Sequence, residues 1–382
     1  MRNDFLIFAQ PFIEEEEIDE VIKTLKSGWL GSGPKVAQFE SDFKEYKNAN
    51  YSIALSSCTA ALHLSMLVSG IKPGDEVITT PLTFCATVNA IIHAGGTPIL
   101  ADIDIDTLNI STVEIRKKIT SKTKAIIPVH FAGRPCDMDE IMKISSDFNL
   151  KIIEDCAHAI ETVYHGQHVG TIGDFGCFSF YVTKNIVTGE GGMVLTKNNE
   201  FATRIKTLGL HGMNKDAWKR FGDDGYKHYQ VVECGFKYNM MDLQASIGIQ
   251  QLKKITPFWE RRELIWKKYM IEFKDLPIIL PPAPAQNTIH GYHLFTILIE
   301  KELCGISRDE FIDRLKDYKI GVGVHYLSIP EHPYYQDVLG WEPEMTPNAM
   351  KVGRSILSLP LSAKLTDNDV DDVIQAIKEI LN

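Results

Sequence analysis

The strongest constraint on the fold is an alternation of short β-rich apolar runs with helical patterns between about residues 50 and 196. The runs with a strand pattern are YSIAL, EVITT, TPILAD, KAIIPVH, KIIED, FGCFSF and GMVLT. Helical segments such as TAALHLSMLVSG and MDEIMKISSDFNL separate several of them. Strands and helices that alternate in this way form βαβ units. The sequence therefore predicts an α/β fold with a mainly parallel seven-stranded sheet and helices on both faces.

The rest of the chain predicts smaller parts around this sheet. Residues from about 207 to 240 have weak periodicity and many Gly, Asp, Lys and aromatic residues, which is typical of a long functional loop. A long helical pattern follows, with a break marked by Pro257. The last hundred residues mix short strand patterns, YHLFTILI and IGVGVHYL, with helical ones. We expect an N-terminal segment over 1–30, a large α/β domain over 31–255 and a small α+β domain over 256–382.

Composition argues against several classes of protein. The chain has 382 residues, 44% of them hydrophobic, which is enough to bury a large core. Its net charge of -10 leaves no basic face for a phosphate backbone, so we expect no nucleic-acid partner. The first residues do not have the pattern of a signal peptide, and no 18-residue apolar span occurs, so we expect no membrane association. The seven cysteines are scattered and never spaced as CxxC, which favours the cytoplasm.

Polar or aromatic residues follow several predicted strands, at the sheet edge where ligands bind in open α/β folds. After YSIAL, the segment SSCT with Ser57 opens a helix, and is either an anion site or an ordinary N-cap. After EVITT, Phe84 is either a platform for a flat ring or a core residue. After KAIIPV, His130 is either a ligand or a structural histidine. Each segment alone has an ordinary structural explanation.

Two further strand ends carry charged groups. The run KIIED ends in Asp155, which is seldom buried without a partner, so we expect it to hold a cation or a protonated ring nitrogen. His158 follows three residues later, on the same side if a helical turn begins there. The run FGCFSF carries Ser179 and leads into Lys184. A lone lysine is ordinarily a solvated surface residue, and only its neighbours distinguish Lys184.

Together these segments match the needs of one cofactor. Pyridoxal phosphate requires a lysine that holds it as a Schiff base, an acid partner for its pyridine nitrogen and a cradle for its phosphate. The lysine must also be partly neutral, which burial near another positive charge favours by lowering its pKa.

A metal site is the alternative for part of this set. The side chains of Asp155, His158, His165 and His168 are mixed nitrogen and oxygen donors that suit zinc. The segment HGQHVG is better interpreted as a turn centred on Gly166, because two histidines around a glycine need not converge. We therefore expect no metal ion.

Motifs along nearly the whole chain resemble the DegT/DnrJ/EryC1/StrS sugar aminotransferases, a family of fold type I pyridoxal-phosphate enzymes with the fold of aspartate aminotransferase. The motifs that carry the resemblance are SGWLGSGPKVAQFE, SSCTAALH, GDEVITTPLTFCATVNAI, KAIIPVHFAG, IIEDCAHA, GDFGCFSFYVTKNIVTGEGGMV, LGLHGM, GFKYNMMDLQASIGIQQL, HLFTILI, VHYLSIPEHPYY and LSLPLS. Several motifs in one order and at family-like spacing are far more specific than any single pattern.

The resemblance implies a role for each cofactor-binding residue. Lys184 resembles the Schiff-base lysine, Asp155 the partner of the pyridine nitrogen and Phe84 the residue stacked on the ring. The other implied contacts are Ser57, Thr59, the Ala60 backbone, His158 and Ser179. Asn239 resembles a residue that reaches the phosphate of the neighbouring subunit, so the resemblance implies a homodimer with a shared active site.

The resemblance also implies the reaction. The amino group of glutamate would pass to the cofactor, giving pyridoxamine phosphate, and then to the keto carbon, expected at C4, of a UDP-, dTDP- or GDP-linked sugar. Lys184 would act as base and acid in both halves. Such amino sugars belong to lipopolysaccharide and other cell-surface polysaccharides. The expected substrate contacts are Trp29, Tyr181, Lys237, His325 and Tyr326.

The sugar is left open by the motifs. GFKYN, YHLFTI, CGISRD and SLPL resemble the type that makes UDP-4-amino-4-deoxy-L-arabinose. Two positions depart from the expected pattern. By resemblance, that type has Trp at the position of Phe84, and many family members have His at the position of Tyr181. Both a 4-keto pentose and a 4-keto-6-deoxyhexose therefore fit.

Two other functions compete with transamination. Related sugar dehydratases use pyridoxamine phosphate but have a histidine in place of the lysine, so Lys184 argues against that reaction. A non-catalytic regulatory homologue that only binds the cofactor is disfavoured by the intact set of Lys184, Asp155 and Ser179.

Overall fold

The computed structural model describes residues 2–214 and 229–381, so part of the predicted long loop lies outside the described residues. All seven runs that predicted strands form strands of one sheet. In chain order the strands are β1 (Tyr51–Leu55), β2 (Glu76–Thr79), β3 (Thr97–Leu100), β4 (Thr123–Ile127), β5 (Lys151–Asp155), β6 (Val163–Tyr164), β7 (Gln167–His168), β8 (Phe175–Ser179), β9 (Gly192–Thr196), β10 (Thr288–Ile289), β11 (Phe295–Leu298) and β12 (Ile356–Leu359).

The large sheet has the order β1-β9-β8-β5-β4-β2-β3. Strands β3, β2, β4, β5 and β8 are parallel to their neighbours in this series, whereas β9 runs antiparallel to both β1 and β8. The predicted mainly parallel α/β fold is confirmed. Because parallel strands end at the same edge, the loops that follow β2, β4, β5 and β8 gather there.

The described helices surround the sheet and continue beyond it. They are α1 (Glu15–Ser27), α2 (Pro34–Lys47), α3 (Cys58–Val68), α4 (Cys85–His93), α5 (Thr112–Lys118), α6 (Met138–Phe148), α7 (Asn199–Gly209), α8 (Asp242–Lys253), α9 (Ile255–Glu272), α10 (Lys301–Cys304), α11 (Arg308–Asp317), α12 (Pro333–Leu339), α13 (Pro347–Ser355) and α14 (Asp367–Leu381). In the described part of the chain, no helix is long and apolar enough to cross a membrane.

Helix α2 begins against a carboxylate from a distant part of the chain. Asp242 is fully buried and accepts hydrogen bonds from the backbone N–H groups of Gly33, Lys35 and Val36 at 2.8, 3.1 and 3.0 Å. These are orphan donors at a helix N-terminus, where a negative charge is also favoured by the helix dipole. Asp242 therefore joins the start of α8 to the start of α2.

The predicted helix break at Pro257 is close to its observed place. Helix α8 ends at Lys253 and α9 begins at Ile255, so Pro257 lies in the first turn of α9. Proline is tolerated there because the first turn does not use its backbone N–H. The division of the chain into 1–30, 31–255 and 256–382 remains a prediction.

The C-terminal part has its own core and a two-stranded antiparallel sheet of β11 and β12. β11 lies in the predicted YHLFTILI run, but the alternating IGVGVHYL segment is not a strand. Only isolated bridges occur in it, from Ile320 to Leu6 and from Gly323 to Ser358. The place beside β11 is taken by Ile356–Leu359, whose four residues are buried.

Helix α1 has its polar side inward and an apolar side outward. Glu17 and Thr24 are each 1% exposed, and Glu17 pairs with Lys254 at 3.0 Å. The outward side carries Ile18, Ile22 and Leu25, which are 44%, 41% and 52% exposed and are called the outer face of α1 below. Apolar side chains at such spacing normally face a core or a partner.

Candidate active site

A cavity of about 560 Å³ lies at the sheet edge where β2, β5 and β8 end. It brings together residues from both the large sheet and the C-terminal part. The predicted site residues that line it are Ser57, Thr59, Phe84, Asp155, His158, Ser179, Tyr181, Lys184, His325 and Tyr326. Their roles remain predictions, but their convergence makes one site possible.

Four predicted residues do not line this cavity. The Ala60 N–H donates to the Ser57 side chain at 3.1 Å, as in an ordinary helix cap. Trp29 and Lys237 are exposed elsewhere on the described surface. Asn239 donates through Nδ2 to Ser32 Oγ at 2.7 Å, and its buried Oδ1 has no partner among the described residues.

Asp155 is a buried carboxylate without a cation bonded to it in the described chain. It is 4% exposed, and its oxygens accept hydrogen bonds from the Thr87 hydroxyl at 2.8 Å and the Ala157 N–H at 3.1 Å. Burial raises the pKa of Asp155, although these donors and the nearby Lys184 oppose the shift. A buried charge of this kind favours a cationic ligand.

Lys184 presents a free amine to the cavity. Its backbone N–H donates to Tyr181 at 2.8 Å, while Nζ has no hydrogen-bond partner within the described residues. Burial lowers the pKa of Lys184 to about 8, against opposing contributions from Cys58 and Asp155. A substantial neutral fraction near neutral pH makes this amine a nucleophile.

The lowered pKa predicts how the cofactor-free protein attaches pyridoxal phosphate. Only the neutral amine attacks the aldehyde, and at pH 7 a lysine with this pKa is about one-tenth neutral. We expect the attachment rate to rise with pH up to about 8 and then to level off. Stopped-flow absorbance across pH 6–10 measures this rate, and a rate that still climbs tenfold between pH 9 and 10 would contradict the prediction.

The first turn of α3 provides a cradle for an anion. Ser57 caps the helix, and Thr59 lies beside it on the cavity wall. A Cβ at Gly192 would lie 2.3 Å from the Ser57 carbonyl carbon, so only glycine lets β9 approach the start of α3 this closely. Free N–H groups and the helix dipole favour a phosphate at this point.

Phe84 offers a flat apolar surface to the cavity. Its ring is 59% exposed, and its centroid is 6.0 Å from that of Tyr326. An exposed phenyl ring at the mouth of a polar site is suited to stacking on a planar ligand.

His158 and Tyr326 are joined by a hydrogen bond that assigns a tautomer to the histidine. His158 Nδ1 accepts the Ala132 N–H at 3.3 Å, so Nε2 carries the proton and donates to Tyr326 Oη at 2.9 Å. Burial lowers the pKa of His158 and raises that of Tyr326, so both are neutral near pH 7. The Tyr326 hydroxyl proton remains available to a ligand.

The four side chains that suit zinc, those of Asp155, His158, His165 and His168, do not converge on one point in the structure. His165 pairs with Asp139 at 3.1 Å, and His168 lies against the Tyr46 ring, 5.4 Å between centroids. Among the described residues, the clustered metal-type donors are His130, Glu154 and Cys156.

In that second cluster, Glu154 and His130 already have hydrogen-bond partners. Glu154 accepts from Gly170, Ile172 and Gly173 N–H groups at 2.8–2.9 Å and from His130 at 3.1 Å. Burial would raise the pKa of Glu154, but the His130 and backbone donors hold it below its ordinary value. The predicted role of His130 as a structural histidine fits this contact.

The chemistry of the cavity residues fits pyridoxal phosphate without reference to any sequence motif. The free amine of Lys184 suits its aldehyde, the buried Asp155 a protonated ring nitrogen, and the exposed Phe84 ring its flat face. The α3 terminus, with Ser179 on the same wall, suits its phosphate.

Three contributors to the site were not predicted from the sequence. Thr87, one turn after Phe84 on α4, bonds Asp155, and its spacing from Phe84 was the available signal. His293 lines the cavity, and Asn185 bonds His293. His293 lies at the start of the predicted strand run YHLFTILI, whereas the candidate residues were taken from the segments that follow strands.

Comparisons with known proteins agree with this geometry. The profile of the DegT/DnrJ/EryC1/StrS aminotransferase family matches residues 11–378. The chain is 47% identical over 381 residues to the spore coat polysaccharide biosynthesis protein SpsC of Bacillus subtilis, covering 100% of this chain and 98% of that protein. It is 50% identical over 382 residues to an uncharacterized protein of Methanocaldococcus jannaschii, covering 100% and 99%.

Among solved structures, the chain is similar to a putative sugar aminotransferase of Streptococcus pneumoniae. The PMP form of that protein superimposes with a TM-score of 0.92 at 34% identity, covering 98% of both chains. Its PLP form gives a TM-score of 0.90 at 33% identity, covering 99% of this chain and 100% of the other.

Proposed function

The chain belongs to the DegT/DnrJ/EryC1/StrS aminotransferase family, and from this we propose that it moves an amino group from glutamate to C4 of a nucleotide-linked keto sugar. One observation carries the proposal. The unpartnered amine of Lys184 and the buried carboxylate of Asp155 line the same cavity, as transamination requires.

The predicted cofactor, pyridoxal phosphate with its pyridoxamine form, is confirmed at family level by the Streptococcus pneumoniae relative, which was solved in PLP and PMP forms. When bound, the cofactor supplies an aldehyde that takes up amino groups and a ring that withdraws electrons from the carbon being deprotonated. Asp155 would keep the ring nitrogen protonated, and the Phe84 ring would pack against the flat ring of the cofactor.

Lys184 moves the protons in this proposal. Its Nζ takes the α-proton of glutamate and later delivers a proton to the sugar carbon that receives nitrogen. A pKa of about 8 suits both proton transfers, because near pH 7 the amine can take up a proton and can also release one. Tyr326 can donate its hydroxyl proton to an oxygen of the bound sugar.

A second cleft supports a substrate larger than a free sugar. This outer cleft has a volume of about 840 Å³ and shares Thr83, Phe84, His325 and Tyr326 with the site cavity. Tyr334 and Tyr335 are among its other lining residues. Aromatic walls beside a reaction site suit a stacked base, so we propose a UDP-, dTDP- or GDP-linked sugar.

The proposed pathway is the supply of amino sugars to cell-surface polysaccharide. Its support is the name of the Bacillus subtilis relative, a spore coat polysaccharide biosynthesis protein. The keto sugar itself is proposed as a 4-keto pentose or a 4-keto-6-deoxyhexose.

The test is a panel of UDP-, dTDP- and GDP-linked 4-keto sugars with glutamate, in which 2-oxoglutarate and the amino sugar are both measured. We expect equal amounts of the two products with at least one sugar, and none with the Lys184→Ala protein. If glutamate alters the cofactor spectrum but no nucleotide sugar is aminated, the acceptor belongs to another class. If glutamate leaves the spectrum unchanged, the proposed amino donor is wrong.

We also propose a homodimer that shares its active sites. The outer face of α1 is an apolar surface that a second copy would cover, and Asn239 has an unpaired buried Oδ1 outside its own cavity. Trp29 and Lys237, which also lie outside the cavity, would likewise serve the partner's site.

Mixing two defective proteins tests the shared site. In a mixed dimer of Lys184→Ala and Asn239→Ala chains, one site would have both residues intact. We expect mixed, refolded samples to regain up to about one-quarter of wild-type activity per site when subunits exchange at random. Samples that remain as inactive as each variant alone, despite proven exchange, would place Asn239 in its own subunit's site or outside any site.

A further inference from the structure

His293 is a buried histidine at the site whose orientation is fixed from behind. It is 6% exposed and lines the same cavity as Lys184. Its Nδ1 lies 2.9 Å from Asn185 Oδ1, and its ring centroid lies 4.4 Å from that of His158. Neither the family motifs nor the predicted strand ends assign it a role.

The surrounding hydrogen bonds determine which nitrogen of His293 carries the proton. Asn185 Nδ2 donates to Glu161 Oε2 at 2.7 Å and to the Gly291 carbonyl at 2.9 Å, so the amide oxygen must face His293. An amide oxygen only accepts, and therefore Nδ1 of His293 is the donor. Burial lowers the pKa of His293, with Lys184 as the next cause, so the ring is neutral and Nε2 has a lone pair.

A buried ion pair holds this arrangement. Glu161 is 5% exposed and bonds Arg262, which is 2% exposed. A rotated Asn185 amide would turn its oxygen toward the Glu161 carboxylate and lose both of its donated bonds. The fold therefore fixes the tautomer of His293 in which Nε2 is the hydrogen-bond acceptor.

Nε2 itself has no bonded partner among the described residues, and it is not among their buried unpaired atoms, so it faces the cavity. The ligand of such an atom must be a hydrogen-bond donor. The carboxylates of glutamate only accept, and its amino group is the one that is transferred, whereas sugar hydroxyls donate.

We propose that His293 is a specificity residue whose Nε2 accepts a hydrogen bond from a hydroxyl on a carbon next to the sugar carbonyl. The inference rests on the proposed sugar substrate. The neighbouring carbon is assigned because His293 bonds Asn185, the residue directly after Lys184, and because His293 and Lys184 line the same cavity.

Two substitutions separate the functions of the two ring nitrogens. His293→Asn places an amide nitrogen near Nδ1, which keeps the bond to Asn185 but removes the acceptor at Nε2. His293→Gln reaches the position of Nε2 with an amide oxygen and restores an acceptor. We expect kcat/KM for the hydroxyl-bearing sugar to fall roughly 10- to 100-fold in His293→Asn and to recover most of that loss in His293→Gln.

The glutamate half-reaction is the internal control. It is followed by the loss of the lysine-linked absorption band without any sugar present, and we expect its rate to fall much less than that of the sugar half-reaction in His293→Asn. A sugar that lacks the neighbouring hydroxyl should be processed equally by wild type and His293→Asn. A shifted band, a glutamate rate that falls as much as the sugar rate, or an equal loss with both sugars would overturn the proposal in favour of a contact with Lys184 or a purely structural role.

A measurement without turnover tests the same assignment. In the ¹⁵N-histidine NMR spectrum of wild type, we expect His293 to show an unprotonated Nε2 that shifts when the amino sugar product binds. A protonated Nε2 would refute the acceptor. If wild type aminates no sugar, the proposed function fails, and this spectrum still decides the tautomer separately.

Discussion

Replacement of Lys184 by alanine is expected to lower the transamination rate by at least about 10³-fold, because it removes the group that transfers the protons. The lysine-linked absorption band of the cofactor should disappear in the same protein. The pyridoxal phosphate should still bind without a covalent bond, since Asp155, Phe84 and the α3 terminus remain. Single-turnover kinetics with glutamate and the absorption spectrum measure both effects.

Lys47 provides a matched control for this substitution. It is 1% exposed, and burial lowers its pKa to about 8, as for Lys184. Its Nζ, however, bonds the Ile160 carbonyl at 2.9 Å and lies 4.7 Å from the Phe178 ring centroid. Lys47→Met should alter stability and leave the cofactor band in place. Loss of the band in Lys47→Met with retention in Lys184→Ala would reverse the assignment of the reactive lysine.

Replacement of Asp155 by asparagine is expected to slow the reaction by roughly 10²- to 10³-fold, because the ring nitrogen of the cofactor loses the negative charge that keeps it protonated. The cofactor-free protein should not be destabilised. The pKa of Asp155 is raised by burial, so its charge destabilises the folded state at neutral pH, and a neutral isostere relieves that cost. Rates and urea unfolding of the cofactor-free form check the two halves of this prediction.

For Glu154, the adjacent residue on β5, we expect substitution to lower stability and to leave the reaction rate nearly unchanged. Glu154 accepts four hydrogen bonds inside the protein, so Glu154→Gln leaves backbone donors facing an amide NH₂ and should cost about 1–3 kcal/mol of unfolding free energy. Its effect on rate per folded molecule should be small. If Glu154→Gln slowed the chemistry as much as Asp155→Asn without loss of stability, the division between the two carboxylates would be wrong.

Much of the fold follows from local pattern. The runs that became β1, β5 and β9 are short and have Ile or Val at their centre, and the helices between strands have ordinary caps such as Ser57 and Asp137. The segment IGVGVHYL also alternates but is not a strand, because Ile356–Leu359 occupies the place beside β11. Which of two suitable segments pairs with a strand is decided by tertiary packing.

The convergence of the candidate site residues was predictable for those that lie at strand ends. Asp155 and Lys184 stand directly after or near buried runs, and the topology of a parallel sheet brings such ends together. His293 was not predictable, because its function depends on Asn185 and on a buried ion pair from two further segments. The contacts proposed for Asn239 depend on a second chain, which no pattern within one chain positions.

Phe84 is exposed, and the buried carboxylate of Asp155 has no cation bonded to it among the described residues. Bound pyridoxal phosphate would cover the first and supply a positive charge to the second. Binding therefore adds to folding stability, by about 2.7 kcal/mol when free pyridoxal phosphate is at one hundred times its dissociation constant. A fall in the free cofactor concentration would therefore lower the amount of folded protein as well as the fraction of molecules that are active.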